Sequence, residues 1–349
     1  MNSIVQDDIK RMVREPLPWE CFEGANVLVT GAAGFLPAYM VETLMFLNQF
    51  VLSRPAKVTA LVRNEARAIK RFADYSGRDD LRIFVQNVSD PLGVSTRFDY
   101  IIHAASNASP TAYLADPAGT LSANVLGTYH LLNTAALDKV CKGFLFFSSG
   151  EVYGAVTERS APLTEQEGGY LDPTDVRACY GESKRVGETM CASWARQYGV
   201  PTRIVRPGHT YGPGMRLDDG RVYADFVRDI LNGGPITMLS DGSARRPFCY
   251  LADATVAFFT VLLKGEVGQA YNVVNPAAEC SIADLAERLA ALYKNEGIYV
   301  VRKERPALGY VPRSDEGTQV SVEKVRSLGW QATTTIEEGF RRTVDSYRD

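Results

Sequence analysis

Two residues of this chain, Tyr180 and Lys184, have the types and the spacing of an acid–base pair. They fall in a segment, about 180–198, whose apolar spacing predicts a helix, and positions i and i+4 share one face of a helix. A lysine ammonium beside a phenol favours the phenolate, so we expect the pKa of Tyr180 to fall from about 10 toward neutrality. Such a tyrosine can take a proton from an alcohol while hydride leaves the same carbon.

The spacing alone is a weak signal, because Tyr299 and Lys303 show it as well. That pair falls in a segment, 298–302, whose pattern is typical of a strand, so its side chains are not expected to share a helix face. The Tyr180 pair differs in what precedes it. Its helix follows an apolar strand and a polar turn, which is the arrangement that positions catalytic groups in α/β proteins.

That polar turn reads Ser148-Ser149-Gly150-Glu151 and follows the strand predicted over 143–147. Ligands of open α/β sheets bind at the carboxyl ends of the strands. Ser149 can therefore hydrogen-bond the reacting hydroxyl, and Glu151 can act as a second acid or base. The alternative interpretation is that the two serines cap a turn and that Glu151 is solvated.

A glycine-containing turn follows the first predicted strand and opens a helix. It reads Gly31-Ala32-Ala33-Gly34-Phe35-Leu36-Pro37. Glycines at this place let the backbone approach a pyrophosphate, which the helix N-terminus attracts. Proline replaces the usual third glycine, and a first helical turn tolerates it. The turn predicts a dinucleotide site; the alternative is a plain strand–turn–helix without a ligand.

The sequence leaves the choice between NAD and NADP open. The end of the second strand, at Val62-Arg63-Asn64, lacks the acid that usually binds the adenosine ribose. Arg63 can pair with a 2′-phosphate, which favours NADP, stack on adenine, or be solvated. Ala104, after the fourth strand, is small enough to let the cofactor approach.

Short apolar strands alternate with helices along the chain. Strands are predicted at 26–30, 58–62, 82–85, 100–103, 143–147 and 203–205. Helices are predicted at about 39–50, 116–137, 180–198, 223–232, 253–263 and 281–294. This alternation predicts an α/β fold with a Rossmann-type, doubly wound parallel sheet and a smaller C-terminal substrate-binding lobe.

We expect three parts: an N-terminal arm over 1–23 with a short amphipathic helix, a dinucleotide-binding domain over 24–206, and a substrate-binding lobe over 207–349. The second boundary is a change of composition, because the loop that begins at 207 is rich in Gly, Pro and charge. The segment of about 246–264 is expected to pack back on the first domain, so the two parts are interleaved.

The composition limits the partners and the location. The chain has 349 residues, 46% hydrophobic and 23% charged, with a formal net charge of −3. That balance gives no basic field for nucleic acid. The first residues lack the apolar stretch of a signal peptide, and no apolar run approaches the roughly 18 residues of a membrane span. The six cysteines form no CxxC pair, which favours a reduced, cytoplasmic protein.

The three histidines do not have the spacing of metal ligands, so no metal site is expected. His103 ends the fourth strand, and a structural role is expected for its ring. His130 falls in a predicted helix and is interpreted as packing. His209 lies in the loop that begins at 207 and is a candidate for contact with the ligand.

Several motifs together resemble the extended short-chain dehydrogenase/reductase family of NAD-dependent epimerases and dehydratases. They are TGAAGF, Asn124, SSGEVYG and YGESK, and the resemblance runs from about residue 25 to the C-terminus. The blocks 177–180, 184–191, 211–222 and 242–248 are most similar to those of UDP-glucuronate decarboxylases (UDP-xylose synthases). The resemblance implies a nucleotide-sugar substrate, a retained NAD and a homodimer.

The resemblance also implies roles for individual residues. Tyr180 matches the base, and Lys184 matches the residue that lowers the pKa of the base and binds the ribose. Ser149 matches the hydroxyl that orients the substrate, Glu151 matches the acid used after C4 oxidation, and Asn124 matches the asparagine on the cofactor side. Arg221 matches a basic residue of the loop that closes over the ligands, and Arg246 matches the arginine near the sugar and its diphosphate.

Three departures from the family pattern keep the exact reaction open. Ser122 stands where decarboxylases have a lysine near the substrate carboxylate, and His209 stands where an asparagine is usual. Gly150 replaces the aspartate of the dehydratases, which disfavours a 4,6-dehydratase. Decarboxylation and 4-epimerisation therefore both remain, beside a simple NAD(P)H-consuming reductase. The non-enzymatic alternative, a catalytically dead NAD(P)-sensing module, is opposed by the intact set of Ser149, Tyr180 and Lys184.

Overall fold

The computed structural model describes residues 2–93, 96–137, 139–156, 161–303 and 319–349. The strands are β1 (Asn26–Thr30), β2 (Lys57–Val62), β3 (Leu81–Val85), β4 (Tyr100–His103), β5 (Gly143–Phe147), β6 (Thr202–Pro207), β7 (His209–Tyr211), β8 (Ile236–Met238), β9 (Arg245–Tyr250), β10 (Gln269–Val273), β11 (Glu279–Ser281) and β12 (Val300–Arg302).

Helices connect most of these strands. They are α1 (Ser3–Met12), α2 (Phe35–Phe50), α3 (Glu65–Arg71), α4 (Pro110–Ala115), α5 (Pro117–Leu137), α6 (Ala178–Tyr198), α7 (Val222–Leu231), α8 (Leu251–Lys264), α9 (Ile282–Leu292), α10 (Glu323–Arg326) and α11 (Ile336–Arg348). A short 3₁₀ turn, Gly150–Tyr153, follows β5.

The central sheet is parallel, with seven strands in the order β3-β2-β1-β4-β5-β6-β10. The chain runs outward from β1 to β3 and then returns to β4 on the other side of β1. This reversal is the topological switch point at which Rossmann folds bind ligands. The predicted α/β, doubly wound fold is confirmed.

Apolar residues on both faces of the strands explain why helices cover the sheet on both sides. In β5, Leu145 and Phe147 belong to the core shared with α2 and α8, whereas Phe144 and Phe146 belong to the core shared with α5 and α6. Successive side chains of a strand point to opposite faces. Strands buried on both faces therefore need apolar residues at consecutive positions, and the sequence supplies them.

A second apolar core lies among the shorter strands and the remaining helices. It contains residues of α7, α9 and α11 with β8 and β9, and α1 contributes Val5, Ile9 and Met12. Two elements that follow residue 207 lie elsewhere. Helix α8 contributes Phe258 and Phe259 to the main core, and β10 pairs with β6 at the edge of the seven-stranded sheet.

The element boundaries differ from the predicted ones at informative places. Helix α2 begins at Phe35, earlier than predicted, because Gly34 can serve as its N-cap and Pro37 fits the first turn. Helix α6 likewise begins at Ala178, two residues before Tyr180. Strand β10 was not predicted, since its sequence QAYNV mixes polar and apolar residues.

Within the described residues, none of the helices combines the length and the apolar character that crossing a bilayer requires.

Candidate active site

Tyr180 and Lys184 lie one turn apart near the start of α6, and both are buried. The ammonium nitrogen of Lys184 lies over the Tyr180 ring, 5.7 Å from its centroid. It also donates a 2.7 Å hydrogen bond to the carbonyl of Phe147, at the end of β5. The helix can approach the strand this closely because residue 187 is glycine: a Cβ there would lie 2.3 Å from the Phe146 ring.

The pKa of Tyr180 is higher than the spacing of Tyr180 and Lys184 predicted. Burial raises it to about 12, although a hydrogen bond from Ser149 and the charge of Arg221 both lower it. Burial also lowers the pKa of Lys184 to about 7. Desolvation disfavours the charged form of each group, and it is the largest influence on both pKa values. The expected depression of the Tyr180 pKa is therefore wrong for this state of the protein.

Ser149 and Glu151 lie at the carboxyl end of β5, beside Tyr180. The Ser149 oxygen accepts a 3.2 Å hydrogen bond from the backbone N–H of Glu151, so it caps the 3₁₀ turn. The same hydroxyl hydrogen-bonds Tyr180. Glu151 is half-buried, and its charge raises the pKa of Tyr180. Ser149 thus caps the turn and contacts Tyr180 at the same time, so a capping role does not exclude a role beside Tyr180.

The glycine turn has the shape that a dinucleotide requires. Gly31 has a φ of +64°, and a Cβ on it would lie 2.8 Å from the Cα of Ala105. A Cβ on Gly34 would lie 2.9 Å from the carbonyl oxygen of Gly31. No side chain caps the N-terminus of α2, where Phe35 and Leu36 are half-buried. The backbone of the turn is therefore open to an anion.

Two buried polar atoms near the switch point have no hydrogen-bond partner among the described residues. One is Oδ1 of Asn124 and the other is Oγ of Ser106. The amide nitrogen of Asn124 donates to Oγ of Ser183 (2.9 Å), which donates to the carbonyl of Tyr180 (3.0 Å). Asn124 thus joins α5 to the first turns of α6. Unpaired buried polar atoms and the narrow glycine turn together fit a bound dinucleotide.

The other predicted cofactor residues lie at the edge of this cleft. The carbonyl of Ala104 would lie 3.2 Å from a Cβ on Gly31. Arg63 is exposed and donates to Oδ1 of Asn107 (3.1 Å). Arg63 therefore contacts the segment that follows β4, and its side chain is more exposed to solvent than the residues of the glycine turn.

Arg221 directly precedes α7 and is close enough to Tyr180 for its charge to act on that residue. It donates to the hydroxyl of Tyr223 (3.1 Å) and to the carbonyl of Ala108 (3.2 Å), and it pairs with Asp219 (3.5 Å). Its charge also lowers the pKa of Tyr180. The structure thus brings Arg221 together with Tyr180.

His209 and Arg246 lie on the neighbouring small sheet. His209 is in β7, with its ring centroid 6.5 Å from that of Tyr223 and 6.1 Å from that of Phe248. Arg246 is in β9 and donates to the carbonyl of Arg245 (2.8 Å). His209 and Arg221 therefore share Tyr223 as a neighbour, whereas Arg246 lies on a different strand of this sheet.

Sequence reasoning missed Tyr113, which lies in α4. Its ring stacks on that of Tyr180, with centroids 5.3 Å apart and planes at 7°. Thr111 of the same helix donates to the carbonyl of Asp219 (3.3 Å). Ser109 and Pro110 are recognisable signals for a helix start. They locate α4, but no local pattern shows that its aromatic residue reaches the catalytic ring.

A second missed residue is Glu188, one turn beyond Lys184 on α6. It accepts hydrogen bonds from Ser148 (2.5 Å) and from Nη2 and Nε of Arg206 (2.6 and 2.8 Å). Its i+4 spacing from Lys184 was a signal that could have identified it.

His103 has the structural role expected for it. Its ring nitrogens are hydrogen-bonded to the hydroxyls of Thr30 (2.8 Å) and Thr128 (3.1 Å). Burial lowers the pKa of His103 to about 3, so the ring is neutral. In the part of the chain that the structure describes, no group of His, Cys, Asp and Glu side chains could hold a metal ion.

Comparison with known proteins identifies relatives along most of the chain. UDP-glucuronic acid decarboxylase 1 of Xenopus tropicalis is 31% identical over 327 residues, which cover 93% of this chain and 72% of that protein. UDP-glucuronic acid decarboxylase 6 of Arabidopsis thaliana is 31% identical over 324 residues, which cover 93% and 89%.

A solved structure shows the same fold. UDP-glucuronic acid 4-epimerase from Bacillus cereus, in complex with UDP-glucuronic acid and NAD, has a TM-score of 0.76 and 21% identity, over 93% of this chain and 99% of that one. Residues 27–275 match the model of the NAD dependent epimerase/dehydratase family. That segment holds the glycine turn, Ser149, Tyr180 and Lys184. The chain therefore belongs to the NAD-dependent epimerase/dehydratase family.

Proposed function

We propose that this enzyme oxidises the sugar of a nucleotide-sugar at C4 to a 4-keto intermediate and then decarboxylates it, as a UDP-glucuronate decarboxylase does. One observation carries the proposal: Tyr180 and Lys184 share a buried face of α6, and Ser149 hydrogen-bonds Tyr180. Relatives named UDP-glucuronic acid decarboxylase, at 31% identity over 93% of the chain, favour this reaction.

The residues that would hold the cofactor surround the switch point of the sheet. They are Gly31, Gly34, Phe35, Leu36, Ala104, Asn124, Tyr180 and Lys184, with Arg63 at the edge. The nicotinamide cofactor supplies, when bound, the acceptor and later the donor of the hydride. Because the hydride is returned, the cofactor need not leave between steps, which favours NAD. Arg63 keeps NADP as the alternative.

Tyr180 takes the proton of the C4 hydroxyl as C4 is oxidised. Ser149 orients that hydroxyl, and Lys184 and Arg221 supply positive charge that favours the tyrosinate. Burial raises the pKa of Tyr180 to about 12 even with the Arg221 charge in place, so positive charge opposes the desolvation of the phenolate without cancelling it.

The ketone at C4 makes the bond between C5 and C6 easier to break. When C6 is a carboxylate, that bond breaks, CO₂ leaves and the electron pair passes into an enolate at C4 and C5. A proton then adds to C5 and C4 is reduced again. Glu151, which lies beside Tyr180, is the candidate for moving this proton. His209, Arg221 and Arg246 are the candidates for binding the sugar and its diphosphate.

The second candidate reaction is 4-epimerisation. Ser122 is half-buried on α5, two residues from Asn124, and a hydroxyl there gives a uronate carboxylate no cationic partner. A 4-epimerase that acts on a neutral sugar needs no such partner, since its 4-keto sugar has no carboxylate and only turns over before C4 is reduced from its other face. Gly150, in place of an acid, makes a 4,6-dehydratase the least favoured reaction.

The test is incubation of the purified protein with UDP-glucuronate and with a panel of UDP-, dTDP-, CDP- and GDP-sugars, followed by mass spectrometry and NMR. Loss of the mass of CO₂ supports the proposal. Loss of the mass of water indicates a dehydratase, and an unchanged mass with a new NMR pattern indicates an epimerase. Consumption of added NADPH by a keto substrate indicates a reductase.

The chain offers a matched control for the catalytic tyrosine. Tyr180→Phe should lower kcat about 10²–10⁴-fold, because it removes the acid–base group. Tyr299→Phe alters the other Tyr–Lys pair of the sequence, whose tyrosine is exposed beside β12, and should leave kcat unchanged. Equal turnover by both variants would mean that Tyr180 is not the base, whereas no turnover of any sugar by the wild type would favour the NAD(P)-sensing alternative.

We also propose a homodimer with two helices of each subunit in the interface. Apolar residues are exposed on α5 and α6, namely Leu121, Leu126, Tyr129, Val186 and Tyr198, and large exposed apolar surfaces mark interaction sites. Light scattering should give twice the mass of the chain, and Leu126→Glu should halve it. A monomeric wild type would contradict this part of the proposal.

The proposed division into a dinucleotide-binding part, 24–206, and an interleaved substrate-binding lobe, 207–349, is supported by the packing of α8 on β5 and β6. The free cysteines among the described residues support a reducing compartment, for which we propose the cytoplasm.

A further inference from the structure

Glu188 joins the catalytic helix to the turn that carries Ser149. It lies on α6 at i+4 from Lys184, and its Oε1 accepts a 2.5 Å hydrogen bond from Ser148. Ser148 directly precedes Ser149 and is itself buried. A displacement of the Glu188 carboxylate would therefore move the backbone that positions the Ser149 hydroxyl.

Arg206, at the end of β6, holds Glu188 in place. Its guanidinium donates to both carboxylate oxygens, at 2.8 and 2.6 Å, and the two side chains are only 9% and 13% exposed. It also donates to the hydroxyl of Tyr153 (3.1 Å) and to the carbonyl of Glu165 (3.0 Å). Since Tyr153 ends the 3₁₀ turn that contains Glu151, one guanidinium fixes β6, α6 and that turn relative to each other.

The charges around Lys184 single out Glu188 as its counter-ion. Four titratable groups act on or face Lys184: Tyr180, Glu188 and Cys191 from α6, and His103 from β4. Burial raises the pKa of the Tyr180 phenol and of the Cys191 thiol and lowers that of His103, so all three are neutral near pH 7. Glu188 is therefore the negative charge among these four groups.

Two cations share that negative charge. Arg206 is hydrogen-bonded to the Glu188 carboxylate, and the charge of that carboxylate raises the pKa of Lys184, which lies one helical turn away. Even with Glu188 present, burial lowers the pKa of Lys184 to about 7. The ammonium form is thus only just retained at neutral pH, and loss of the carboxylate charge would favour the neutral amine.

We propose that Glu188 is a positioning residue of the active site: it holds Ser148, and through it Ser149, against α6, and it keeps Lys184 in its ammonium form. The role of that ammonium in catalysis rests on the proposed function. The position and the charge state of Lys184 are properties of the protein alone and can be measured without a substrate.

The decisive experiment is a pH titration of the full chain labelled with [¹³Cε]lysine, observed by NMR, with the Lys184 signal assigned by its loss in Lys184→Met. Glu188→Gln keeps the size and the acceptor oxygen but removes the charge. It should lower the titration midpoint of Lys184 by about one pH unit, as expected when an opposite charge within roughly one helical turn is lost.

Asp8→Asn is the matched control. Asp8 is another buried carboxylate bonded to an arginine, Arg342, but it lies between α1 and α11. Asp8→Asn should lower the melting temperature and leave the Lys184 midpoint unchanged. An unchanged midpoint in Glu188→Gln, or an equal shift in both variants, would overturn the proposal.

Glu188→Asp separates the two parts of the proposal and serves if Glu188→Gln does not fold. It keeps the charge but is one methylene too short for the Ser148 contact. The Lys184 midpoint should stay near that of the wild type, while kcat for UDP-glucuronate falls about tenfold at constant KM, a loss of about 1.4 kcal/mol in the transition state. An unchanged kcat would disprove the positioning of Ser149.

Failure of the proposed function gives a different result. If no nucleotide-sugar is turned over by the wild type but Glu188→Gln shifts the Lys184 midpoint, then the counter-ion role stands and the assigned reaction is wrong.

Discussion

Glu188–Arg206 and Asp8–Arg342 are both carboxylate–guanidinium pairs with little solvent exposure, and they differ in what surrounds them. Glu188 and Arg206 lie at the carboxyl edge of the central sheet, next to Ser148 and one turn from Lys184. Asp8 and Arg342 join the first helix to the last one, and Asp8 also accepts hydrogen bonds from Tyr39 (3.1 Å) and Tyr250 (2.6 Å).

The difference shows that the same ion pair has consequences set by its neighbours. Removing one partner of either pair leaves a buried charge without a partner and destabilises the fold. Of these two pairs, the Glu188 pair acts on Lys184, the proposed partner of the base, so its loss should change the pH dependence of the proposed reaction. The Asp8 pair connects α1, α2, β9 and α11 and should affect stability alone.

The largest effect on stability is expected from Arg342→Met. It removes both guanidinium hydrogen bonds to Asp8, at 3.0 and 2.6 Å, and leaves that carboxylate buried. The free energy of unfolding should fall by about 3–5 kcal/mol, measured by urea titration. The kcat of the folded fraction should not change, and a loss of activity larger than the loss of folded protein would make the two pairs functionally alike.

The next effect is a dependence of stability on pH that comes from the active-site region. The pKa of His103 is about 3 in the folded protein and about 6.5 in an unfolded chain. Below 6.5 the unfolded state binds the additional proton, so the free energy of unfolding should decrease by about 1.4 kcal/mol per pH unit as pH falls toward 3.

His103→Gln provides the comparison, because glutamine can hydrogen-bond Thr30 and Thr128 but does not titrate. Its unfolding free energy should lose this slope between pH 6.5 and the folded pKa of about 3. Thermal melts over that range measure it, and an identical slope in both proteins would mean that the histidine is not the titrating group.

A smaller effect is expected where Tyr113 stacks on Tyr180. Tyr113→Leu keeps an apolar side chain but removes the parallel ring that fixes the plane of the catalytic phenol. Aromatic stacking contributes about 0.5–1.5 kcal/mol, so kcat/KM for UDP-glucuronate should fall by roughly twofold to tenfold. A Tyr113→Phe control, which retains the stack, should behave like the wild type.

The smallest effect is expected from an exposed ion pair on the same two helices that the buried Asp8 pair joins. Arg11 and Glu338 are 2.9 Å apart, with side chains 40% and 36% exposed. Arg11→Ala should lower the free energy of unfolding by only about 0.5 kcal/mol, since solvent screens such pairs. A loss as large as that of Arg342→Met would show that burial does not determine how much each of these two ion pairs contributes to stability.

The sequence predicted the fold and the residue types of the site because both depend on local patterns. Continuous apolar runs such as GFLFF located β5, and the spacing of Tyr180 and Lys184 placed them on one helix face. The sequence also correctly indicated that the second pair, Tyr299 and Lys303, does not share a helix face, because Val300–Arg302 between them is a strand.

The sequence could not give the quantities that depend on packing. The pKa of Tyr180 is set first by burial, and no spacing reports how much solvent a neighbouring helix excludes. Tyr113 reaches Tyr180 from a helix far away along the chain. The prediction that a lysine would dominate the phenol failed for this reason, since desolvation acts on both groups at once.

The place of β10 at the edge of the central sheet limits how this enzyme can be rebuilt. The polypeptide leaves the central sheet after β6, then returns to it with α8, which packs in the main core, and with β10. A chimera made at a single splice point after residue 207 would inherit its last sheet strand from the foreign parent. Exchange of substrate specificity between relatives by recombination therefore requires at least two crossovers, with α8 and β10 kept from the same parent as β6.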